Sequence, residues 1–414
     1  MQSTAMDSRL AAPDGRTAWI VASAALGILT VSYGAPLISV VALTTIAADL
    51  GTSRAAPSAA GALVLVGAAV GGIAAGWLAG RLGIRRIVLF GAGMLATGLF
   101  ISALSGVSQL YVGHGLFMGL FGASCMLSPL ITYVSLWFER RRGAAVALIS
   151  SGQAIAGAIW PLLLQAGITR FGWRHIMELF GVFGLVSISI LAILFLHAPP
   201  PASSATPDAE PRPQVGAKAG EGSSNVLMIG LMAAIFCCCV PMNIPLQHVV
   251  AFCGDIGIAS QEGAAMLSVL LGSAFLARQL WGWVADRVGG LQTLLWSSPV
   301  QAIALSGFLF TRNDTLLFAF SSVFGIGLAG LLPAYVVAVR EHYCANEANW
   351  RVPTVLFAGF LGMAAGGWGA GVLYDIFGVY LVAFAVGIMF NLVNMAIVLW
   401  LAFFSKALRF PVRA

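Results

Sequence analysis

The feature that most constrains this chain is a succession of twelve apolar stretches, each long enough for a helix to cross a lipid bilayer. A hydrocarbon core about 30 Å thick needs roughly 20 apolar residues per helix. Only 9% of the residues are charged, against about 25% in a typical soluble domain, so lipid is the solvent for most of the surface. The stretches predict membrane-spanning helices at 19–46, 59–79, 87–104, 110–137, 144–168, 176–196, 226–252, 264–284, 291–309, 316–339, 352–374 and 379–404.

The basic residues predict the direction in which the chain crosses the membrane. With both termini in the cytoplasm, four of the 21 Lys and Arg residues lie in outer loops (Arg54, Arg170, Arg174 and Arg312) and one, Arg278, lies inside a helix. The other sixteen face the cytoplasm, and excess positive charge on cytoplasmic loops is the usual orientation. The net charge of +6 is therefore a topology signal that needs no nucleic-acid partner. We expect a multi-pass protein of the cell (inner) membrane.

A composition change in the middle of the chain predicts two halves. Three prolines at 199–201, followed by Ser, Ala, Glu and Gly without periodicity, are typical of a flexible linker. The predicted organisation is a cytoplasmic tail at 1–18, a six-helix half at 19–197, a cytoplasmic linker at 198–225, a second six-helix half at 226–404 and a cytoplasmic tail at 405–414.

The two halves share a short motif at equivalent places. Gly-Trp-Leu-Ala-Gly-Arg-Leu-Gly at 76–83 is echoed by Gly-Trp-Val-Ala-Asp-Arg-Val-Gly at 282–289, and each copy closes the second helix of its half. A duplicated six-helix unit is the architecture of one large class of alternating-access carriers. The fold class predicted is an all-α membrane protein with twelve helices in two pseudo-symmetric halves.

These features resemble the major facilitator superfamily over nearly the whole chain. Its loop signature reads approximately Gly-x-Leu-Ala-Asp-Arg-x-Gly-Arg-Arg, and this chain departs from it at Gly80, where the family usually has Asp. The resemblance implies a conformational, gating role for the matching residues, which are Gly76, Arg81, Gly83, Arg85 and Arg86 in the first copy and Gly282, Asp286, Arg287 and Gly289 in the second. Because the family Asp helps to lock the cytoplasmic side, its absence at position 80 weakens the expected lock.

Two further patches resemble the monocarboxylate carriers and their bacterial oxalate/formate relatives. Asp-Gly-Arg-Thr-Ala-Trp at 14–19 is similar to the motif that precedes their first helix. Trp-Phe-Glu-Arg-Arg-Arg-Gly-Ala-Ala at 137–145, with Gly152 and Gly157 after it, is similar to their signature around the loop between helices 4 and 5. The resemblance implies transport of a small organic anion.

Arg278 is the one basic residue inside a predicted span. It precedes Asp286 by eight residues, so it lies roughly 12 Å from the cytoplasmic end of its helix at 1.5 Å per residue. A charge at that depth costs at least about 2.5 kcal/mol unless it faces the bundle interior or a watery cavity. A guanidinium offers a planar fork that matches a carboxylate. The sequence therefore predicts a substrate-binding cation, and the related carriers bind their anion through an arginine on this same helix; the alternative is a structural ion pair.

The absence of a second cation from the predicted spans favours a substrate with one carboxylate. Oxalate exchangers add a lysine on helix 11, whereas the predicted span 352–374 holds no Lys or Arg. One fixed cation matches one carboxylate, so a monocarboxylate is expected. Position 274 is alanine and helix 1 has no lysine, which removes the proton-coupling pair of the animal carriers. Proton symport and exchange against a counter-anion both remain open.

Other polar residues are weaker candidates for contact with the substrate or for proton coupling. Tyr33 lies in a stretch with Gly34 and Pro36 that predicts a broken helix 1. The other predicted substrate contacts are Tyr335, Asn243 and Gln153, for which packing or interhelical hydrogen bonding is the alternative. His248, with Asp255 beyond it, and His114 are candidates for proton coupling.

Three other function classes are less well supported. A drug or amphiphile proton antiporter of the same superfamily is the nearest alternative, and a transporter-like sensor lacks any recognisable signalling domain. Catalytic and nucleotide-binding motifs are missing, so an enzyme and a cofactor are not expected, and transport must use gradients. No metal site is expected either, because Cys237, Cys238 and Cys239 project in three directions from a helix.

Overall fold

The computed structural model describes residues 14–104, 106–138, 141–197 and 221–409. All regular secondary structure within these ranges is helical, and twelve helices are long and apolar enough to cross a membrane, which confirms the predicted fold class. A helix satisfies its backbone polar groups internally, as lipid demands. We number the spans α1 (Arg16–Val41), α2 (Ala55–Leu82), α3 (Ile84–Ser102), α4 (Val107–Ser135), α5 (Ala144–Phe171), α6 (Trp173–Phe195), α7 (Asn225–Asp255), α8 (Ser260–Val288), α9 (Gly290–Phe310), α10 (Asp314–His342), α11 (Trp350–Phe377) and α12 (Leu381–Phe403).

Helix α1 is irregular within its span. Its first α-helical segment ends at Ser32, the second begins at Gly34, and a further short helix follows at Leu43–Asp49. Pro36 lies in the first turn of the second segment, where its missing N–H has no helical partner to lose. The helix is therefore irregular at Tyr33 rather than broken, since the Tyr33 N–H still donates to the carbonyl oxygen of Leu29 at 3.0 Å.

The described residues divide into two compact units. The first holds the residues up to Thr52 and those from Leu63 through α6, and the second holds Ser53–Ala62 together with α7 to α12. Helix α2 therefore begins as part of the second unit and continues along the chain into the first. The predicted tails at 1–18 and 405–414 and the linker at 198–225 fall mostly outside the described residues.

Helix pairing repeats between the two units with an offset of six. In the first unit α1 packs against α5 and α6, and α3 packs against α4 and α6. In the second unit α7 packs against α11 and α12, and α9 packs against α10 and α12. These four pairings therefore recur in the same chain order in the two units.

In the first unit, residues of the segment at 14–19 contact residues of the segment at 137–145, and these are the two segments that resemble the monocarboxylate carriers. The rings of Trp19 and Phe138 meet edge to face with centroids 4.9 Å apart. The backbone N–H of Asp14 donates to the carbonyl oxygen of Trp137 at 3.1 Å, and the Asp14 carboxylate accepts from the backbone N–H of Arg141 at 3.0 Å. These contacts hold the motif before α1 against the segment before α5. Arg141 lies in that segment, at the start of a helix.

Aromatic rings form the core of the second unit. Phe252, Phe308 and Phe384 are fully buried on α7, α9 and α12. The ring centroids of Phe308 and Phe384 are 5.5 Å apart in a stacked arrangement, and Phe252 meets Phe384 edge to face at 5.1 Å. Such pairs add about 0.5–1.5 kcal/mol beyond their area burial. This cluster ties together three helices at the end where α7 finishes.

The duplicated loop motif folds in the same way in both units. The Arg81 guanidinium carbon lies 3.8 Å from the centroid of the Trp77 ring, and that of Arg287 lies 3.7 Å from the centroid of Trp283. Gly83 and Gly289, which separate α2 from α3 and α8 from α9, have φ angles of 86° and 87°. Only glycine enters this left-handed region without steric cost. The two copies therefore encode the same turn.

Candidate functional site

Arg278 lies in the interior of α8, ten residues before the helix ends at Val288. At 1.5 Å per residue this distance is about 15 Å, half the thickness of a hydrocarbon core. Its side chain is half-buried, while Ala274 one turn earlier and the adjacent Ala277 are buried. Arg278 is therefore a half-buried basic side chain near the middle of its span, beside two buried alanines.

Asn243 is placed on α7 as an interhelical hydrogen-bond donor. Its Nδ2 donates to the carbonyl oxygen of Met363 on α11 at 2.8 Å and to Oε1 of Gln247 at 3.3 Å. The residue is buried at 7% exposure. The amide hydrogen-bonds α7 to α11, which is the structural alternative weighed from the sequence.

Tyr335 belongs to a buried polar network that the sequence did not reveal. Its hydroxyl donates to Oδ1 of Asn394 at 2.6 Å, and Nδ2 of Asn394 donates to Ser298 Oγ at 3.0 Å. One turn along, Asn391 Nδ2 donates to Oε1 of Gln301 at 2.6 Å. All but Ser298 are completely buried. The network links α9, α10 and α12, and the Tyr335 hydroxyl is committed to it.

The two first-unit candidates differ in exposure. Tyr33 is half-buried at the irregularity of α1, where it packs against the apolar core. Nearby, the indole N–H of Trp160 donates to the carbonyl oxygen of Thr30 at 2.7 Å, in the turn before the irregularity. Gln153 is exposed on α5. Tyr33 is thus partly exposed, and the exposed fraction of Gln153 is larger.

His114 is enclosed in the first unit. It has no exposed surface, and its Nδ1 lies 2.8 Å from Ser102 Oγ on α3 and 3.2 Å from the carbonyl oxygen of Leu110. A polar imidazole inside a helix bundle is stabilised by such partners. The geometry describes a hydrogen-bonded ring between α3 and α4.

The most developed polar assembly in the second unit surrounds Arg54, a residue that the sequence assigned only to an outer loop. Its guanidinium nitrogens each lie 2.6 Å from one oxygen of Asp255, so the pair is bidentate. Nη1 also donates to the Tyr380 hydroxyl at 3.2 Å, and the guanidinium carbon lies 3.8 Å from the centroid of the Tyr374 ring. Bidentate, ring-stacked arginine combines the strongest interactions available to this side chain.

A second carboxylate caps the helix that follows Arg54. Asp375 accepts from the backbone N–H of Arg54 at 2.9 Å and from that of Ala55 at 2.8 Å. These donors stand at the start of α2, where no helical acceptor exists and where negative charge is favoured. We call Arg54, Asp255, Tyr374, Asp375 and Tyr380 the Arg54 cluster.

Charge states within the Arg54 cluster follow from its packing. Burial lowers the pKa of Arg54, but its hydrogen bonds to and charge interactions with Asp255 and Tyr380 together raise it by more, so the group is a permanent cation. Burial raises the pKa of the Tyr380 hydroxyl well above its usual value, which outweighs the opposing effect of Arg54. Tyr380 therefore keeps its proton and remains a hydrogen-bond donor.

His248 adjoins the Arg54 cluster and is completely buried. Its Nδ1 lies 3.0 Å from the Tyr380 hydroxyl, and its Nε2 lies 2.7 Å from the carbonyl oxygen of Gly367 and 3.5 Å from Ser58 Oγ. The imidazole therefore contacts the start of α2, α11 and the residue before α12 at the same time.

The sequence places Asp255 beyond His248 but does not by itself predict that Arg54 meets either residue. The available signal was that Arg54, Asp255 and Asp375 are charged residues immediately beside the ends of apolar spans. Charges at the ends of several helices can meet when those helices pack together, and here they do.

Metal ligands are not gathered anywhere in the described part of the chain. Within it, no three His, Cys, Asp or Glu side chains are placed to hold one ion. Cys238 and Cys239 are buried and Cys237 is half-buried.

The architecture agrees with a known family. A model of the Major Facilitator Superfamily matches residues 24–349. Monocarboxylate transporter 11 of Mus musculus is 27% identical over 395 residues, which cover 92% of this chain and 79% of that protein. The agnestins efflux protein AgnL12 of Paecilomyces divaricatus is 26% identical over 260 residues, 62% of this chain and 57% of that protein. The chain thus spans less than two thirds of the length of several fungal relatives.

The fold also matches solved transporters. A bacterial homolog of the human lysosomal transporter Spinster superposes with a TM-score of 0.71 at 15% identity, covering 95% of this chain and 98% of the other. At this identity the likeness concerns the fold alone.

Proposed function

Since the chain belongs to the Major Facilitator Superfamily, we propose that it is a secondary active transporter of a small organic anion, specifically a monocarboxylate. The family and the solved neighbours are transporters, which supports transport rather than catalysis. The relationship to monocarboxylate transporter 11 supports the substrate class. The relationship alone does not select a substrate, so the proposal depends on the residues.

Arg278 carries the proposal. A cation in the interior of an apolar helix is retained against a cost of at least about 2.5 kcal/mol, which favours a functional use. Its planar fork binds a carboxylate through two parallel hydrogen bonds. Tyr33 and Gln153 in the first unit, and Tyr335 and Asn243 in the second, remain proposed contacts; Tyr335 and Asn243 would have to exchange their present partners to serve.

The charge match supports one carboxylate rather than two. Helix α11 begins earlier than predicted, so Arg351 lies within it, one residue from its Trp350 end. That side chain is 8% exposed and lies 3.4 Å from the Glu347 carboxylate, so an acidic neighbour already offsets its charge. Arg278 lies near the middle of α8, and a single cation at that depth matches a monocarboxylate.

The transport cycle is proposed to be alternating access driven by a gradient. Proton symport and exchange for a counter-anion both cancel the charge of the substrate. The excess of basic residues on one set of loops supports cytoplasmic termini and a position in the cell membrane. The loop motif copies around Arg81 and Arg287 are proposed to control the conformational change.

Uptake into proteoliposomes tests the proposal. A labelled monocarboxylate panel is presented with and without a pH gradient, to the parent and to Arg278→Lys and Arg278→Ala. We expect Arg278→Ala to reduce uptake by about 30-fold or more, because a substrate carboxylate is left without its cation, and Arg278→Lys to retain part of it. Arg312→Ala, which removes an exposed arginine beside α10, is the matched control. Parental uptake by both Arg278 variants would refute the carboxylate clamp.

A proton antiporter for drugs or amphiphiles is the second candidate, favoured by the efflux protein among the relatives. It predicts proton fluxes that depend on an amphiphile, without uptake of any labelled acid. The same vesicles, loaded with a pH-sensitive dye, distinguish the two functions.

A further inference from the structure

We propose that His248 is the proton-binding site of the transport cycle, and that one proton bound there releases the first turns of α2 from the second unit. The inference deepens the proposed function, on which it rests, by naming the coupling ion and its site. The observation that carries it is a directed chain of hydrogen bonds from Arg54 through Tyr380 and His248 to the backbone of α11.

The partners determine the direction of this chain. The carbonyl oxygen of Gly367 only accepts, so Nε2 of His248, 2.7 Å away, carries the hydrogen. Nδ1 is then a lone pair, and the Tyr380 hydroxyl, 3.0 Å away, donates to it. The Tyr380 oxygen in turn accepts from Nη1 of Arg54 at 3.2 Å. The chain is complete only with a neutral imidazole.

Protonation reverses one link. A proton delivered by hydronium forms a new N–H bond with the Nδ1 lone pair of His248 and leaves water behind. The new Nδ1–H then points at the Tyr380 oxygen, which must accept hydrogen bonds from both His248 and Arg54. The hydroxyl hydrogen of Tyr380 loses Nδ1 as its acceptor. Two cations also share one neutral hydroxyl. The arrangement that seats Arg54 on Tyr380 is thereby destabilised.

Neighbouring charges do not relieve this conflict. The charged and titratable groups facing His248 come from the start of α2, the end of α7, the end of α11 and the residue before α12, and they are Arg54, Asp255, Tyr374, Asp375 and Tyr380. Asp255 is occupied by the guanidinium, and Asp375 by the two N–H groups at the start of α2. Asp375 favours an imidazolium at His248, but the nearby charge of Arg54 disfavours it more strongly.

Further contacts transmit the change to α2. Ser58 lies beside His248 Nε2, its hydroxyl donates to the carbonyl oxygen of Arg54 at 2.7 Å, and its own carbonyl accepts from Nε2 of Gln247 at 2.8 Å. The first turns of α2 are thus held by α7 and α11 through groups that touch His248. Residues from Leu63 onward belong to the first unit, so release frees one end of a helix whose residues are divided between the units.

Linkage makes the effect reciprocal. If a proton favours the released arrangement, release strengthens proton binding by the same factor. In the predicted orientation the Arg54 cluster is at the outer face, so external protons open it. One proton then accompanies one monocarboxylate, and the cycle moves no net charge.

Two transport modes separate this inference from the proposed function. Counterflow of a labelled monocarboxylate at equal pH on both sides reports anion transport, and accumulation driven by an inward proton gradient reports coupling. We expect His248→Gln and Tyr380→Phe to retain counterflow and to lose gradient-driven accumulation by about tenfold. His175→Gln, which alters an exposed histidine on α6, should behave as the parent.

The two modes fail in different ways. Parental accumulation in both variants would overturn the inference while leaving the anion carrier intact. If His248→Gln proves inactive in both modes, Tyr380→Phe, which keeps the ring and removes only the hydroxyl, decides by the same two readouts. Absence of counterflow in the parent would instead overturn the proposed function.

A substrate-free measurement tests the switch directly. Ala56→Cys places a thiol on a buried face of α2, and Ser53→Cys places one at an exposed site three residues earlier; both are made in a Cys344→Ser background. At each pH, the labelling of position 56 by a membrane-impermeant thiol reagent is divided by that of position 53. This ratio should rise as the external pH falls from about 8 to about 5.5. The rise should vanish with His248→Gln, and its persistence there would refute the switch.

Discussion

The two guanidinium nitrogens of Arg54 each lie 2.6 Å from one oxygen of Asp255, although 201 residues separate them in the chain. The pair is partly exposed, with side-chain exposures of 16% and 28%, and it shares its arginine with two tyrosine rings. Arg54 therefore attaches the start of α2 firmly to the end of α7.

Removing that attachment should weaken the second unit. Hydrogen bonds to charged groups contribute about 1.5–3 kcal/mol each, and partial exposure places Arg54→Ala near the lower figure. We expect a lower midpoint of thermal unfolding in detergent. The swap of Arg54→Asp with Asp255→Arg should recover part of the loss, and a double-mutant cycle measures the pair. Additive effects of the single substitutions would show that the pair contributes nothing.

Tyr335→Phe discriminates a buried network residue from a substrate contact. The substitution leaves Oδ1 of Asn394 without its donor, which should cost about 1–3 kcal/mol of stability. If the hydroxyl serves only the network, the KM for a monocarboxylate stays at the parental value. Tyr111→Phe, which makes the same change at a half-buried position on α4, is the control. A raised KM with unchanged stability would restore Tyr335 as a ligand.

Gly83→Ala and Gly289→Ala should each destabilise the protein by about 1–2 kcal/mol, because a Cβ at φ near 86° meets its own backbone. Gly80→Ala is the control within the same motif. That position is helical, and a Cβ there meets no atom within 4 Å, so the change should be neutral or stabilising. Thermal unfolding in detergent measures all three, and equal effects at positions 80 and 83 would contradict the assignment of the turn.

Asp14 offers a test of the contact between the motif before α1 and the segment before α5. Asp14→Gly accommodates its φ of 60° but removes the acceptor of the Arg141 N–H, so we expect a loss of about 1 kcal/mol. Asp14→Asn keeps an acceptor and tolerates the backbone conformation, and should retain most of the stability. Denaturation midpoints compare the two, and an equal loss in both variants would assign the effect to the charge.

The fold was more accessible from the sequence than the site. Membrane-spanning helices follow from apolar length alone, and the turns at Gly83 and Gly289 follow from a repeated motif, because both are local properties. Arg278 was predicted as a substrate ligand because one charge in an apolar span is conspicuous, and this role stays a prediction. The partners of Tyr335, at Asn394 and Ser298, were missed because hydrogen bonding between distant helices leaves no periodic trace in either one.

The Arg54 cluster was also missed, because its contacts join parts of the chain that are distant in sequence. Arg54, Asp255 and Asp375 each read as ordinary charged residues at helix ends, and only packing brings both carboxylates within 3 Å of nitrogen atoms of Arg54. The sequence prediction also began α11 too late and left out Arg351. Hydropathy counts a charged residue as polar even where a nearby carboxylate pairs with it, as Glu347 does with Arg351.

The division of α2 between two units has a consequence for how the protein is made. Ser53–Ala62 is synthesised long before α7 and α11 leave the ribosome, so Arg54 has neither carboxylate when it first enters the membrane. The first six helices must be inserted with this segment undocked, and it completes the later half only after translation of Asp375. A nascent chain stopped before α11 should therefore expose this segment to protease.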